Sequence, residues 1–333
     1  MNERIKWIDI AKCFGMYGIY VLHFGELAGR SYPFLMTHVV PLFFLTAGCM
    51  ETYNKETNFF KYLVKKIKTI MVPFWVFAAI AIVITFIYCN YDSTSVFRVC
   101  VEVGYGVIRN TFVAASLWFL TCLFVMQIMF FFIKQLRLKV LIIAVGFILY
   151  VISLNVINPS PLWCPSWPYN VDSALFYMIF YAIGYVAFPY VVKLFELDTK
   201  AKRIGFGISG VLAVVYSIYA YLGIDLFSYL PFVNAMVIIL PILSSCVVIW
   251  GFFVIARLVE DVDLFSKIGR NTLYLCGCEY VVKTLGTCLF AIIGYEIFLP
   301  NPLSVYIYSA ILIVFANKYI VPIEKYIINK IVK

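Results

Sequence analysis

The stretch KCFGMYGIYVLH, residues 12–23, sets a lysine and a histidine at the two ends of an apolar run. The run extends on both sides, and residues 8–28 reach the roughly 20 residues that a helix needs to cross a bilayer. Asp9 and Glu26 add two further charges near the ends of this segment. Because a charged side chain that faces lipid is costly, the segment predicts a membrane helix whose polar side faces protein or a water-filled cavity.

Helical geometry places the four ionisable residues of this segment on one side. At about 100° per residue, the eleven steps from Lys12 to His23 come close to three full turns and span roughly 16 Å. Asp9 lies three residues before Lys12, and Glu26 lies three residues after His23. We therefore predict one polar stripe of Asp9, Lys12, His23 and Glu26 along the helix.

The stripe offers candidate catalytic residues. An imidazole can take a proton from a hydroxyl and return one to a leaving group near neutral pH, so His23 is the candidate base, and Glu26 can orient it. Two plainer interpretations stay open. Lys12 can extend to the cytoplasmic headgroups while paired with Asp9, and His23 can be a packing residue held by hydrogen bonds.

The whole composition indicates an all-α integral membrane protein. The 333 residues are 64% hydrophobic and only 13% charged, and the apolar residues fall in long blocks. We predict about ten transmembrane helices in one membrane domain over residues 1–333, with no fused soluble domain. The predicted spans are 8–28, 34–51, 70–90, 112–133, 140–157, 172–192, 204–223, 231–255, 271–294 and 303–321.

The basic residues predict the orientation of these spans. Of the 26 Lys and Arg residues, 22 fall on the side that holds the N-terminus, so we expect both termini in the cytoplasm. This asymmetry accounts for the net charge of +9 without nucleic acid, and it offers a face to membrane lipid or to an anionic soluble ligand. The ten cysteines form no CxxC pair near a histidine, so we predict no metal site.

Six stretches, taken in order along nearly the whole chain, resemble the acyltransferase 3 family, the multi-pass bacterial enzymes that O-acylate surface sugars. The first carries the basic residue, ten residues and histidine that open the family's first membrane helix. The stretches are RIKWIDIAKCFGMYGIYVLHFG (4–25), HVVPLFFLTAGCM (38–50), KKIKTIMVPFW (65–75), SLWFLTCLF (116–124), WPYNVDSALFYMIFYAIGY (167–185) and IGRNTLYLCGCEY (268–280).

Two positions depart from the family pattern. Many relatives have a histidine where this chain has Glu279, and a buried carboxylate can carry a proton in its place. His38 stands one residue farther from Pro41 than the pattern implies.

The resemblance implies an acyl-CoA donor, first of all acetyl-CoA, and a saccharide hydroxyl as acceptor, at the bacterial plasma membrane. His23 would act as general base or as a covalent acyl carrier. Lys12 would neutralise a donor phosphate or support the developing oxyanion.

A lysine cluster at the cytoplasmic entrance of the third span is the candidate donor site, because the phosphates of CoA are anionic. Its members are Lys61, Lys65, Lys66 and Lys68. Ordinary cytoplasmic charge explains any one of these lysines better, whereas the cluster together with the resemblance favours donor binding.

The candidate acceptor site lies around the outer loop NPSPLWCPSWPYN, residues 158–170. Its aromatic residues, Trp163, Trp167 and Tyr169, can stack on sugar rings, and Asp172 can accept hydrogen bonds from hydroxyl groups. An aromatic belt at the membrane interface explains the same rings without a ligand. Trp118 and Glu279 complete the set of candidate substrate residues, and Glu279 is also spaced to pair with Lys283.

Two other functions fit parts of the pattern. A transporter or flippase for a glycan or lipid-linked sugar would also bury ionisable groups, but it would more naturally show paired repeats, and none is evident. A membrane scaffold fits the composition but leaves the polar stripe of the first helix unexplained. The oligomeric state is not readable from the sequence.

Overall fold

The computed structural model describes residues 5–89, 93–106, 115–157, 167–224, 238–292, 294 and 297–332. The regular structure of these residues is entirely helical, with no strand among them, which confirms the all-α prediction. The helices are α1 (Lys6–Leu22), α2 (Ser31–Glu51), α3 (Phe59–Lys66), α4 (Val72–Cys89), α5 (Ser93–Gly104), α6 (Trp118–Ile133), α7 (Lys139–Ile152), α8 (Val171–Phe195), α9 (Lys200–Tyr221), α10 (Leu240–Leu258), α11 (Asp263–Gly269), α12 (Thr272–Ile292), α13 (Pro302–Phe315) and α14 (Val321–Val332).

Within the described residues, nine helical stretches are long and apolar enough to cross a membrane. Two of them, Phe59–Ile87 and Pro302–Val332, join two helices through a π-helical turn. The stretches are Ser31–Glu51, Phe59–Ile87, Trp118–Leu136, Lys139–Val156, Pro168–Phe195, Lys200–Tyr221, Leu240–Leu258, Thr272–Ile292 and Pro302–Val332. The 17-residue α1 corresponds to the first predicted span. The chain is therefore a multi-pass membrane protein with about ten spans, as predicted, and its orientation stays a prediction.

The first helix is shorter than predicted. We expected it to reach residue 28, but α1 ends at Leu22, and a short 3-10 turn follows over Gly25–Ala28. Gly25 has a φ of +60°, a left-handed conformation that an α-helix cannot continue through. The stripe of four residues is therefore not carried by one helix, since Glu26 belongs to the turn.

Cα packing divides the chain into two compact units. The first unit contains Met1–Thr52, Ile183–Thr272 and Leu299–Ile311, and the second contains Tyr53–Ala182, Leu273–Phe298 and Leu312–Lys333.

In the first unit, glycines bring helices into close contact. A Cβ added to Gly15 would lie 2.9 Å from the Leu42 side chain, and one added to Gly18 would lie 2.9 Å from Val39, so α1 and α2 pack tightly. A Cβ on Gly269, the last residue of α11, would meet the backbone oxygen of Asp9. The backbone of α1 at Asp9 therefore packs directly on α11.

In the second unit, a hydrophobic core forms around α4. Phe74 and Phe77 are almost fully buried there, together with Leu120 of α6 and Ile328 of α14. A Cβ on Gly277 of α12 would overlap the Phe77 ring, so this glycine allows α12 to pack on α4. The core thus draws helices from separate parts of the sequence together.

Candidate functional site

The Asp9–Lys12 pair predicted on the first helix is present in the first unit. The Lys12 Nζ lies 3.5 Å from the Asp9 Oδ1, and the two side chains are 21% and 5% exposed, in that order. Because this pair is largely out of water, removing one charge would leave the other in a poorly solvating site.

His23 immediately follows α1, with φ −75° and ψ 3°, and its backbone N–H still donates to the Ile19 carbonyl at 3.1 Å. Its side chain is exposed, as is that of Glu26 in the following turn. The structure thus places an accessible imidazole at the end of the helix that carries the Asp9–Lys12 pair. An accessible imidazole can exchange protons with a bound hydroxyl, which a buried packing residue cannot do.

The predicted donor lysines lie together in the second unit. Lys61, Lys65 and Lys66 belong to α3, and Lys68 lies in the π-helical turn Ile67–Met71 that joins α3 to α4. Asn58 caps α3 by accepting a hydrogen bond from the Lys61 backbone N–H at 3.0 Å. Lys61, Lys65 and Lys68 are exposed and Lys66 is half-buried, so this segment presents positive charge to a soluble anion.

A buried tyrosine, Tyr62, contacts two of the lysine side chains in this region. Tyr62 is fully buried and donates a hydrogen bond to the Gln127 carbonyl at 3.2 Å. The ammonium groups of Lys66 and Lys134 lie 4.9 and 5.4 Å from its ring centroid, within cation–π range. Lys134 was not among the predicted donor residues, although it comes from a basic loop on the same predicted side of the membrane.

Three of the four predicted substrate residues converge around Asn170, in the second unit. Its backbone N–H donates to the Trp167 carbonyl at 3.2 Å, and its Nδ2 donates to Thr121 Oγ1 at 2.7 Å and, at 3.5 Å, to the Trp118 carbonyl. Asp172 lies two residues farther along, in the first turn of α8, and is fully buried. Trp167 is 43% exposed, so the cluster has one accessible ring. Trp163 lies outside the described residues.

Sequence reasoning missed Asn170 and Thr121. Asn170 is fully buried, its Oδ1 has no hydrogen-bond partner among the described residues, and its φ is +54°, as is that of Tyr169. Two successive non-glycine residues in the left-handed region mark a strained backbone, and such strain concentrates at functional sites. The one available signal was the asparagine itself, the residue type besides glycine that most readily adopts this conformation.

The fourth substrate candidate, Glu279, is 3% exposed and lies on α12. Its Oε1 is 2.7 Å from the Lys283 Nζ, which confirms the expected pairing one turn apart. One turn before Glu279, the Cys276 carbonyl accepts a hydrogen bond from Ser116 Oγ at 2.8 Å. Glu279 therefore lies on a helix that is tied to the segment just before Trp118.

His38 is buried, and its Nδ1 lies 3.4 Å from Ser245 Oγ on α10. Its ring also packs edge-on against Phe34, with ring centroids 4.9 Å apart. These contacts describe a packing histidine in the first unit. In the part of the chain that the structure describes, no group of three or more His, Cys, Asp or Glu side chains is placed to hold a metal ion.

Comparison with known proteins shows the family to which the chain belongs. The acyltransferase domain of the Acyl_transf_3 family matches residues 5–318, which include every candidate site residue described above. No curated protein and no solved structure gives a significant match. Because the match covers nearly the whole chain, the protein belongs to the acyltransferase 3 family and is a membrane acyltransferase.

Proposed function

We propose that this membrane acyltransferase transfers an acyl group from acyl-CoA to a hydroxyl of a cell-surface or lipid-linked saccharide at the bacterial plasma membrane. Acetyl is the first acyl group that we expect. The observation that carries the proposal is the exposed imidazole of His23, placed directly after a helix with a largely buried Asp9–Lys12 pair in a member of this family.

In a direct route, the neutral His23 imidazole takes the proton of the acceptor hydroxyl while the hydroxyl oxygen attacks the thioester carbonyl carbon. The C–O bond of the ester forms and the C–S bond breaks. The imidazolium then returns the proton to the leaving CoA sulfur, so the products are the ester, the CoA thiol and neutral imidazole.

In a relay route, an imidazole nitrogen attacks the thioester carbonyl and forms an acyl-histidine, while the leaving CoA sulfur takes the imidazole proton. The acceptor oxygen then attacks the acyl carbon, the C–O bond of the ester forms as the C–N bond to the imidazole breaks, and the hydroxyl proton returns to the imidazole. Both routes give the same products, the ester and the CoA thiol, and both need an accessible His23.

The other candidate residues have supporting roles in this proposal. The Lys12 ammonium, held beside Asp9, supplies positive charge for a donor phosphate or for the negative oxygen of the tetrahedral intermediate. The donor phosphates are attracted to Lys61, Lys65 and Lys68, the exposed lysines of the α3 segment, and to Lys66 beside them.

The acceptor sugar is assigned to the cluster around Asn170. The accessible ring of Trp167 offers a stacking face, and the ring of Trp118, which packs against Tyr177 with centroids 6.1 Å apart, lies in the same cluster. Asp172 and Glu279 are buried, so in this proposal they would accept hydrogen bonds from sugar hydroxyl groups only where the acceptor opens the packing around them.

The proposal is tested by the mass and alkali lability of the host's surface polysaccharide in cells with the unaltered protein and with His23→Ala at equal expression. We expect His23→Ala to abolish an acyl-sized increment that mild alkali removes. His38→Asn is the matched control, because it changes the chain's other histidine and should leave the increment in place.

An undiminished increment in the His23→Ala cells would remove His23 from the reaction. If deletion of the whole protein changed only the amount of exported polymer, the transporter alternative would replace acyl transfer to a saccharide.

A further inference from the structure

We propose that Tyr306 of α13 is a positioning residue for His23, because its hydroxyl anchors the turn that follows the histidine. This inference rests on the catalytic role of His23 in the proposed function. It concerns residues of the first unit only.

The Tyr306 hydroxyl lies where several segments meet. It donates a hydrogen bond to the Ala28 carbonyl at 3.4 Å, and it lies 2.7 Å from Ser31 Oγ at the start of α2. The Tyr306 backbone carbonyl accepts a hydrogen bond from the Tyr17 hydroxyl on α1 at 3.2 Å. Tyr306 therefore joins the helix before His23 to both the end of the turn after it and the start of α2.

The turn is short, and a backbone hydrogen bond closes it, from the Gly29 N–H to the Glu26 carbonyl at 2.9 Å. It is a 3-10 turn of only four residues, Gly25–Ala28. It begins at Gly25 and is followed by Gly29, and the φ angles of these two glycines are +60° and +59°. A Cβ on Gly25 would meet nothing within 4 Å in the described part of the chain. Without outside contacts, glycines with this freedom would give the turn many conformations.

Helix α13 supplies the outside contacts. Val305 is buried in a small hydrophobic cluster with Val21 and Ala28, on either side of His23. Pro302 packs so closely on Gly29 that a Cβ there would lie 2.9 Å from its ring. These contacts are apolar and less directional, whereas the Tyr306 hydroxyl holds the end of the turn by a directed hydrogen bond to the Ala28 carbonyl.

Tyr308, two residues along the same helix, provides a natural comparison. Its ring packs edge-on against Phe24, with centroids 5.9 Å apart, but its buried hydroxyl has no hydrogen-bond partner among the residues that the structure describes. Removing either hydroxyl as Tyr→Phe keeps the ring and its packing. Of the two changes, Tyr306→Phe is the one that removes hydrogen bonds to the turn and to Ser31.

The experiment compares the unaltered protein with Tyr306→Phe, Tyr308→Phe and His23→Ala in membrane vesicles from the host, with labelled acetyl-CoA and the endogenous polysaccharide as acceptor. We expect Tyr306→Phe to lower kcat about 10-fold to 100-fold, because a small misplacement of a catalytic group has effects of that order. The KM for acetyl-CoA should not change, because the anchored turn does not hold the donor lysines. Tyr308→Phe should keep the kcat of the unaltered protein.

Amide hydrogen exchange gives a second readout that does not depend on activity. Residues 24–30 should exchange faster in purified Tyr306→Phe than in the unaltered protein, while Tyr308→Phe should leave their exchange unchanged. Ser31→Ala should repeat the effect of Tyr306→Phe in part, and the two substitutions together should have less effect than the sum of their separate effects.

The outcomes separate the two proposals. If His23→Ala is inactive while Tyr306→Phe keeps both the kcat and the exchange of the unaltered protein, the positioning role is wrong and the proposed function stands. If His23→Ala remains active, the catalytic role of His23 is wrong, and the positioning role fails with it. Faster exchange of residues 24–30 with an unchanged kcat also contradicts the positioning role.

Discussion

The Asp9–Lys12 pair is the clearest case in which burial sets the importance of a single interaction. Asp9 is 5% exposed at its side chain, and the backbone around it packs on Gly269, so water has little access to this carboxylate. Pairing with Lys12 at 3.5 Å compensates part of its desolvation. The pair is thus both a structural element of the first unit and a candidate part of the reaction.

At the residue scale, Lys12→Met should reduce the amount of folded protein. It leaves the Asp9 carboxylate without the ammonium beside it, and breaking a buried pair typically costs about 3–5 kcal/mol. The double variant Asp9→Asn, Lys12→Met should recover folding, since no charge then remains at the site. Folded amount is measured by size-exclusion chromatography in detergent, and acyl transfer by the vesicle assay.

The double variant also separates structure from catalysis. We expect it to fold and to stay inactive, because the proposed mechanism uses the Lys12 charge. Full activity in the double variant would show that the pair serves structure alone.

The Asp9–Lys12 and Glu279–Lys283 pairs could be predicted from the sequence, because a spacing of three or four residues on a helix determines which side chains can meet. The role of Asn170 could not be predicted from the sequence. Its partners Thr121 and Trp118 lie about 50 residues away, and its left-handed backbone depends on how the start of α8 is held. Nothing in the local sequence specifies contacts over that distance.

At the scale of elements, the π-helical turn Ile67–Met71 sets the direction of the lysine side chains. One extra residue in this turn changes the rotation of α3 relative to α4 by about 100° compared with a continuous α-helix. The lysines of α3 therefore point to a different side from the one that the periodicity of α4 alone would give. π-Helical turns of this kind frequently occur at functional sites.

Deletion of Thr69 should restore a continuous helix and rotate Lys61, Lys65 and Lys66 away from their positions. Thr69 is exposed, and its hydroxyl donates within the same helical stretch, to the Lys65 carbonyl at 2.8 Å. We expect the KM for acetyl-CoA to rise about tenfold for each lysine that no longer reaches a donor phosphate.

Thr69→Ala is the control for that deletion, because it removes the hydroxyl and keeps the number of residues in the turn. Its KM should stay near that of the unaltered protein. An unchanged KM in the deletion variant would place donor binding elsewhere.

The lengths of the hydrophobic blocks in the sequence predicted the existence and approximate bounds of the membrane helices, because the bilayer requires about 20 apolar residues per span. It did not predict where α1 ends, since apolar residues continue after Leu22 while Gly25 changes the backbone direction. It also did not predict the short helices α5 and α11. These are too short to span a membrane, so the length criterion does not detect them.

At the scale of the whole molecule, charge asymmetry is the feature from which we predict the orientation of the chain in the membrane. Cys100 on α5 is exposed and lies between the third and fourth predicted spans, on the side with few basic residues. Lys267 on α11 is also exposed and lies on the basic side. The orientation therefore predicts opposite reactivity for cysteines at these two positions.

A membrane-impermeant maleimide applied to intact cells should label Cys100 when it is the sole cysteine. In a chain with Lys267→Cys as the sole cysteine, labelling should appear only after the membrane is permeabilised. The reverse result would place both termini outside and would require the donor lysines to face away from cytoplasmic acyl-CoA.

The division into two compact units was not predicted from the sequence. Each unit collects segments from three separate parts of the chain, and such grouping depends on packing between distant residues, as at Gly277 and Phe77. The all-helical class and the approximate number of spans follow from composition, whereas this grouping follows from the shapes of side chains in contact.

The turn between Gly25 and Gly29 has a consequence for how relatives of this protein can be recognised. At both positions an L-residue with a side chain would be strained, and at Gly29, where φ +59° is combined with ψ −137°, the backbone conformation is essentially restricted to glycine. The pattern His-x-Gly-x-x-x-Gly at residues 23–29 therefore reflects the backbone conformation of the turn. A collection of related chains that share this turn should vary freely at Leu27, whose side chain is exposed, while admitting almost no residue with a side chain at the two glycines.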